Sequence, residues 1–252
     1  MEADCHGRPS VCSIHGMRDT TRWNYPSRPA IWCVVGICIS GMSACEKESP
    51  PGPAARVSEA TDAAKPAAGW VAMESIGPEK WLPIDGQEVS WDEGTRVMRI
   101  GMGTDLNGVR WTGPLPAVPY AVELEARRLS GSDFFCGLTF PVRDGTRSVS
   151  LIVGGWGGSL VGISSIDGLD ASENPTGSQY QFEDQRWYRI RVEVAEERLQ
   201  AWIDDRQVVD AHTVGQELSL RVGPIEDCAP FGLATWLTSA EVRGVKWRKL
   251  GE

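Results

Sequence analysis

The stretch 187–210, WYRIRVEVAEERLQAWIDDRQVVD, constrains the fold more than any other. Tyr188, Ile190, Val192 and Val194 alternate with Arg189, Arg191 and Glu193, the two-residue period of a strand with one buried face. Residues 195–198 interrupt that alternation, and Leu199, Ala201 and Ile203 resume it. Asp204-Asp205-Arg206 forms a second polar turn, after which Val208 and Val209 open another apolar run. The run AEERLQAW holds good helix formers, but its flanks are β-branched and no apolar stripe at 3.6-residue spacing crosses them. The segment therefore predicts a three-stranded antiparallel meander.

From Trp70 onward, short apolar runs alternate with Gly, Pro, Asp and Asn. They predict strands near 81–84, 89–91, 97–100, 109–112, 120–129, 134–142, 148–154 and 160–164. After the meander, further strands are expected at 218–222, 231–238 and 241–250. About a dozen strands without a convincing helix point to an all-β sandwich or barrel. The last strand is expected to pair near the first ones, closing the sheet and hiding an edge.

The N-terminus reads differently. Residues 30–39, AIWCVVGICI, form an apolar run too short for a bilayer, which needs about 20 residues. Arg18, Arg22 and Arg28 precede it and Ser40, Gly41, Ser43 and Ala44 follow, the layout of a secretory signal peptide over 1–44. Met17 offers an alternative start. The run Met42-Ser43-Ala44-Cys45 resembles a bacterial lipobox, which implies lipidation and cleavage at Cys45; an ordinary signal peptide with a chance Cys is the alternative. The Pro-, Ala- and Ser-rich stretch 45–69 cannot bury enough surface to fold and is expected to be a tether, leaving 70–252 as the folded domain. These features predict an exported protein held at the bacterial envelope, touching membrane only through its lipid.

The chain carries 34 acids against 25 Lys and Arg without a basic stripe, which argues against a nucleic-acid partner. Past Cys45 only Cys136 and Cys228 remain. They can pair in an oxidising compartment, or stay as two buried thiols. His212 is the single histidine after the leader, which leaves no basis for a Ser-His-Asp triad or a His-based metal centre.

The order WYRIRVEV, turn, LQAWIDDRQVVD, then FGLATW and VRGVKWRKL resembles the concanavalin-like lectin/glucanase jelly roll. Within that superfamily it is similar to the 3-keto-disaccharide hydrolase-type domain of exported bacterial proteins, over about Trp81 to Leu250. The resemblance implies a jelly-roll sandwich of two antiparallel sheets and an activity on 3-keto-glycosides. Members often carry a Glu-x-Gln-x-x-Asp-like run on a central strand. Here the aligned residues 150–156 are SLIVGGW, without those acids.

Several residues are candidates for chemistry. Trp156 lies within Gly154-Gly155-Trp156-Gly157-Gly158, so it either projects into a groove to stack on a sugar or folds back on the core. Asp167, Asp170 and Glu173, with Asn174, form an acidic loop. It can supply an acid and base or oxygen ligands for Ca²⁺, or it is simply solvated. Asp133 and Arg110-Trp111 are second groove candidates, and Glu123 with Glu125 are a third, more readily surface charges paired to Arg127 or Arg128. If the resembled activity applies, Asp133 or a loop acid is expected to take the C2 proton and Arg110 to hold the enolate oxygen. A non-catalytic carbohydrate-binding module and an envelope protein-interaction domain are the alternatives.

Overall fold

The computed structural model describes residues 69–75, 78–84 and 88–251. The expected leader, Cys45 and all of the tether except Gly69 lie outside the described residues.

Fifteen strands follow one another among the described residues. The first five are β1 (Val71–Ala72), β2 (Trp81–Pro83), β3 (Val89–Asp92), β4 (Val97–Ile100) and β5 (Leu106–Trp111). The next five are β6 (Tyr120–Gly131), β7 (Cys136–Val142), β8 (Arg147–Gly154), β9 (Leu160–Ser164) and β10 (Ser178–Gln179). The last are β11 (Tyr188–Ala195), β12 (Arg198–Ile203), β13 (Arg206–His212), β14 (Gly232–Trp236) and β15 (Thr238–Lys249). They form two antiparallel sheets, a jelly-roll sandwich. Sheet A runs β13-β12-β11-β6-β15-β4-β3, with β1 also on β15; sheet B runs β10-β9-β8-β7-β14-β5-β2.

The meander is β11–β12–β13, with Ile190 opposite Ile203 and Val194 opposite Leu199. Its alternating residues Tyr188, Ile190, Val192 and Val194 are fully buried, with Val122 and Leu124 of β6 on the sheet A side and Leu138, Phe140, Leu151 and Val153 on the sheet B side. Each such side chain contributes about 1.5–3 kcal/mol relative to an exposed one. The buried Tyr120 hydroxyl of β6 donates to the Pro141 carbonyl of β7, which links the two sheets across the core.

Three expectations change. Residues 218–222 are not a strand: Leu218 makes one isolated bridge to Ile166, because the backbone then turns through Gly223 into a short 3-10 segment, Pro224–Cys228. The predicted 231–238 strand is divided between the sheets. Leu237, with φ 44°, turns the corner from β14 in sheet B to β15 in sheet A. The last strand does pair with β1 and β4, but it lies in the middle of sheet A, between β6 and β4, and hides no edge.

Cys136 and Cys228 are unpaired and buried. Cys136 faces the sandwich core and Cys228 the opposite side of sheet B. Burial pushes both thiols up to about 12, which suppresses the reactive thiolate.

Candidate functional site

Sheet B has side chains on two faces, and strand register assigns them. Val149, Leu151 and Val153 of β8 point into the sandwich, so Ser150 and Ile152 point away from it. Across the outer face, cross-strand partners form one row Ser164–Ser150–Thr139–Gly232–Arg110. The neighbouring row is Gly162–Ile152–Gly137–Ala234–Gly108. Four of those five residues are Gly or Ala, and neighbouring groups close over them, the Phe134 ring over Gly137 and Ala171 with Gly177 against Gly162.

A cleft of about 350 Å³ opens over Ser150, Ile152 and Ser164, at the small end of the range of about 300–1,000 Å³ typical of ligand pockets. Ser150, Ile152 and Ser164 belong to its floor, and Leu106, Phe134, Trp156 and Trp236 supply apolar wall. Asp133 and Arg221 are its charged groups, and the segment from Val222 to Ile225 forms the far side.

The wall at Trp156 is a tight turn. Trp156 itself has left-handed backbone (φ 49°, ψ 54°), and Gly154, Gly157 and Gly158 also have positive φ. Two side chains from outside the turn brace it. Asp133 accepts from the Phe134 N–H through Oδ1 (2.8 Å) and from the Gly157 N–H through Oδ2 (3.2 Å). Arg128 donates to the Gly158 carbonyl through Nη1 at 3.4 Å. The indole at the apex remains 42% exposed, and the Arg221 guanidinium lies 6.0 Å from its ring centre. The turn therefore projects Trp156 outward.

The acidic loop scatters its members. Asp170 accepts from the Ser164 and Ser165 hydroxyls through Oδ1 (3.0 and 3.3 Å) and pairs with Arg221 Nη1 through Oδ2 at 3.2 Å. It sits behind the cleft and touches two of its lining residues. Asp167 accepts from the Glu217 N–H, and Glu173 lies against the Asp170 N–H, both exposed. Asn174 is buried and spends its amide on the loop, donating to the carbonyls of Ile163, Leu169 and Asp170 and accepting from Thr176. Among the described residues, no group of three or more His, Cys, Asp or Glu is placed to hold a metal ion.

Arg110 and Trp111 are adjacent on one strand and so point to opposite faces. Trp111 is in the core, 1% exposed and tilted against Trp81. Arg110 is on the outer face but lines a separate hollow of about 220 Å³ with Leu82, Ile84 and Asp227. Cys228 packs over Gly232 on the same face. Glu123 and Glu125 are on the outer face of sheet A, paired to Lys246 and Arg243 rather than to Arg127 or Arg128.

The structure thus brings Asp133 and Trp156 into one cleft, with Asp170 just behind it. Arg221, Trp236 and the two serines are members that sequence reasoning missed.

No family model matches the chain, and no curated protein matches it. Solved structures do resemble it. The carbohydrate binding module CBM66 from Bacillus subtilis is 16% identical and aligns over 68% of this chain and 96% of its own, with a TM-score of 0.46. The carbohydrate recognition domain of Emp47p is 11% identical over 68% of this chain and 89% of its own, TM-score 0.44. Domain 4 of AbnA, a GH43 extracellular arabinanase from Geobacillus stearothermophilus solved with arabinotriose, is 11% identical over 72% of this chain and 91% of its own, TM-score 0.44.

Proposed function

We propose that this domain binds carbohydrate in the cleft on the outer face of sheet B. The observation that carries the reading is Trp156, held in left-handed backbone at the apex of a braced glycine turn. A non-glycine residue in that conformation costs of order 1–3 kcal/mol, and such strain collects at ligand sites. It supports a role for the exposed indole beyond packing. A sugar ring has a C–H face that packs on an indole and hydroxyls that need polar partners. Asp133 retains lone pairs for such hydroxyls after its two backbone bonds.

Binding is favoured over direct hydrolysis of a glycosidic bond. That chemistry uses two carboxylates flanking the bond, about 5–9.5 Å apart. Among the described residues Asp133 is the one carboxylate that lines the cleft. The test is a glycan array probed with the full chain and with Trp156→Ala. Wild-type binding that Trp156→Ala strongly weakens supports the reading. No glycan bound, or equal binding by both proteins, ends it.

A second reading rests on Asp133 and Arg221 sharing the cleft. A ketone at C3 of a glycoside acidifies the C2 proton, so one base and one enolate partner suffice for elimination of the C1 substituent. Asp133 would take that proton, Arg221 would hold the enolate oxygen, and the C1–O bond would break as the C1–C2 double bond forms; the departing oxygen takes a proton from water, and a second water adding at C1 completes the hydrolysis. This is the 3-keto-glycoside activity implied by the sequence resemblance, with Arg221 in place of Arg110. Incubating 3-keto-trehalose with the full chain and following it by HPLC tests it; no turnover removes that substrate.

The envelope placement is proposed with it: lipid on Cys45 and a tether over 45–69 would hold the domain beside a membrane. Unchanged gel mobility under a signal-peptidase-II inhibitor rejects lipidation.

A further inference from the structure

Resting on the carbohydrate reading above, we infer that the sugar bound in the cleft carries a carboxylate, and that Arg221 recognises it. The polar groups of the cleft differ in how much hydrogen-bonding capacity the fold already uses. Ser150 Oγ shares a hydrogen bond of 2.8 Å with Thr139 Oγ1, and Ser164 donates to Asp170 at 3.0 Å. Asp133 accepts two backbone N–H groups and keeps acceptor capacity only. Arg221 stands apart. Among the described residues it is the only cation lining the cleft, and its ion pair to Asp170 engages Nη1. Among the described residues the Nε–Nη2 edge of its fork has no partner, on a side chain 58% exposed.

That edge is a rigid pair of parallel donors, matched to the two oxygens of a carboxylate. Its position fixes where the carboxylate must lie, since the guanidinium carbon is 6.0 Å from the Trp156 ring centre. The guanidinium lies over the indole face, so a ligand that packs against the open part of that indole is within reach of the Arg221 fork. Asp133 braces the turn that carries Trp156, and it accepts hydroxyl donors from the same ligand. A C–H face, hydroxyls and a carboxylate together describe a uronic acid or a related carboxylated sugar.

Asp170 is a positioning residue in this scheme. Two serine hydroxyls hold its Oδ1 while its Oδ2 aims the guanidinium. It also lowers the net positive charge at Arg221, so recognition depends on the geometry of the fork more than on attraction at a distance.

The experiment is an array of linkage-matched neutral, carboxylated, methyl-esterified and sulfated glycans, probed with the full chain. Affinities of the hits are then measured for Arg221→Gln, Arg221→Lys and Asp170→Asn. Binding confined to carboxylated glycans and lost on esterification supports the inference. Arg221→Gln is expected to raise Kd about tenfold to a hundredfold, the loss of a charge-assisted pair. Arg221→Lys is expected to recover only part of it, because a lysine has no fork. Asp170→Asn should weaken carboxylated ligands without moving the preference to neutral ones. Equal binding of neutral or esterified glycans, or a preference for sulfated ones, overturns the carboxylate while carbohydrate binding survives. No glycan bound by a folded wild-type chain overturns both.

Discussion

The two outward faces of the sandwich treat tryptophan in opposite ways. On sheet A, Trp187 lies beneath Arg127 and Arg243, 4.6 and 4.2 Å from its ring centre, and Arg191 covers Trp202 at 4.3 Å. The same cations also hold carboxylates: Arg127 meets Glu241, Arg243 meets Glu125 and Arg191 meets Glu193, while Arg99 joins Glu241 and Lys246 meets Glu123 beside them. Indole faces and charges there mostly pair with one another, while the buried Nε atoms of Arg191 and Arg248 have no partner among the described residues. On sheet B the centre is Gly and Ala, one indole is presented on a strained turn, and one guanidinium keeps part of its fork open. Both faces are rich in aromatic and charged groups. What separates them is how closely the indoles are covered: cations stand 4.2–4.6 Å from the Trp187 and Trp202 rings but 6.0 Å from that of Trp156.

The comparison can be broken by mutation, beginning with the floor of sheet B. A Cβ at Gly108 would stand 2.3 Å from the Leu233 carbonyl oxygen, and backbone cannot move aside. Gly108→Ala is expected to cost about 3 kcal/mol of stability by overpacking, read as a lowered denaturant midpoint. Next comes the tryptophan contrast. Trp156→Ala should weaken glycan binding by about 2 kcal/mol, whereas Trp202→Ala should leave binding unchanged. Equal losses from both would mean that the face of sheet A also binds. A smaller effect is expected at Glu241, which pairs with two arginines and is only 13% exposed. Glu241→Gln should cost about 1 kcal/mol of stability and nothing in affinity.

The smallest effect concerns pH. Burial holds the Glu74 carboxyl above its ordinary value of 4.5, although the Gly244 and Val245 backbone bonds oppose the shift. The folded state then binds this proton more tightly than the unfolded chain. Its contribution to stability is therefore greatest below 4.5 and falls as pH rises through the raised value. Urea melts of Glu74→Gln should lack that part of the slope, and an unchanged slope would show that Glu74 is not its source.

The contrast between the faces also explains what could be read from the chain beforehand. β11 has one buried face and one solvated face, so its alternation was plain and its meander could be predicted. β7 is buried at every position, because the outer face of sheet B is itself partly covered. Period two disappears there, and with it any sign that Ser150 and Ser164 on the neighbouring strands share a floor. Trp156 stood out because four glycines left it nothing nearby to pack on. Arg221 did not, since 218–222 alternates like a strand. Gly223-Pro224 directly after it was the available signal that the run ends and swings outward. Arg110 and Trp111 show a different gap, because choosing which of two adjacent residues faces inward needs the partner strand. Pairings such as β7 with β14, far apart in sequence, leave no local trace.

The position of β15 bears on when the molecule can form. Strands β3 and β4 join β6 only through β15, so sheet A stays in two pieces until that strand is made. Long-range pairing of this kind makes folding slow. A nascent chain emerging from the ribosome lacks the element that would lock it shut. Until β15 pairs, nothing joins those two pieces and sheet A cannot close.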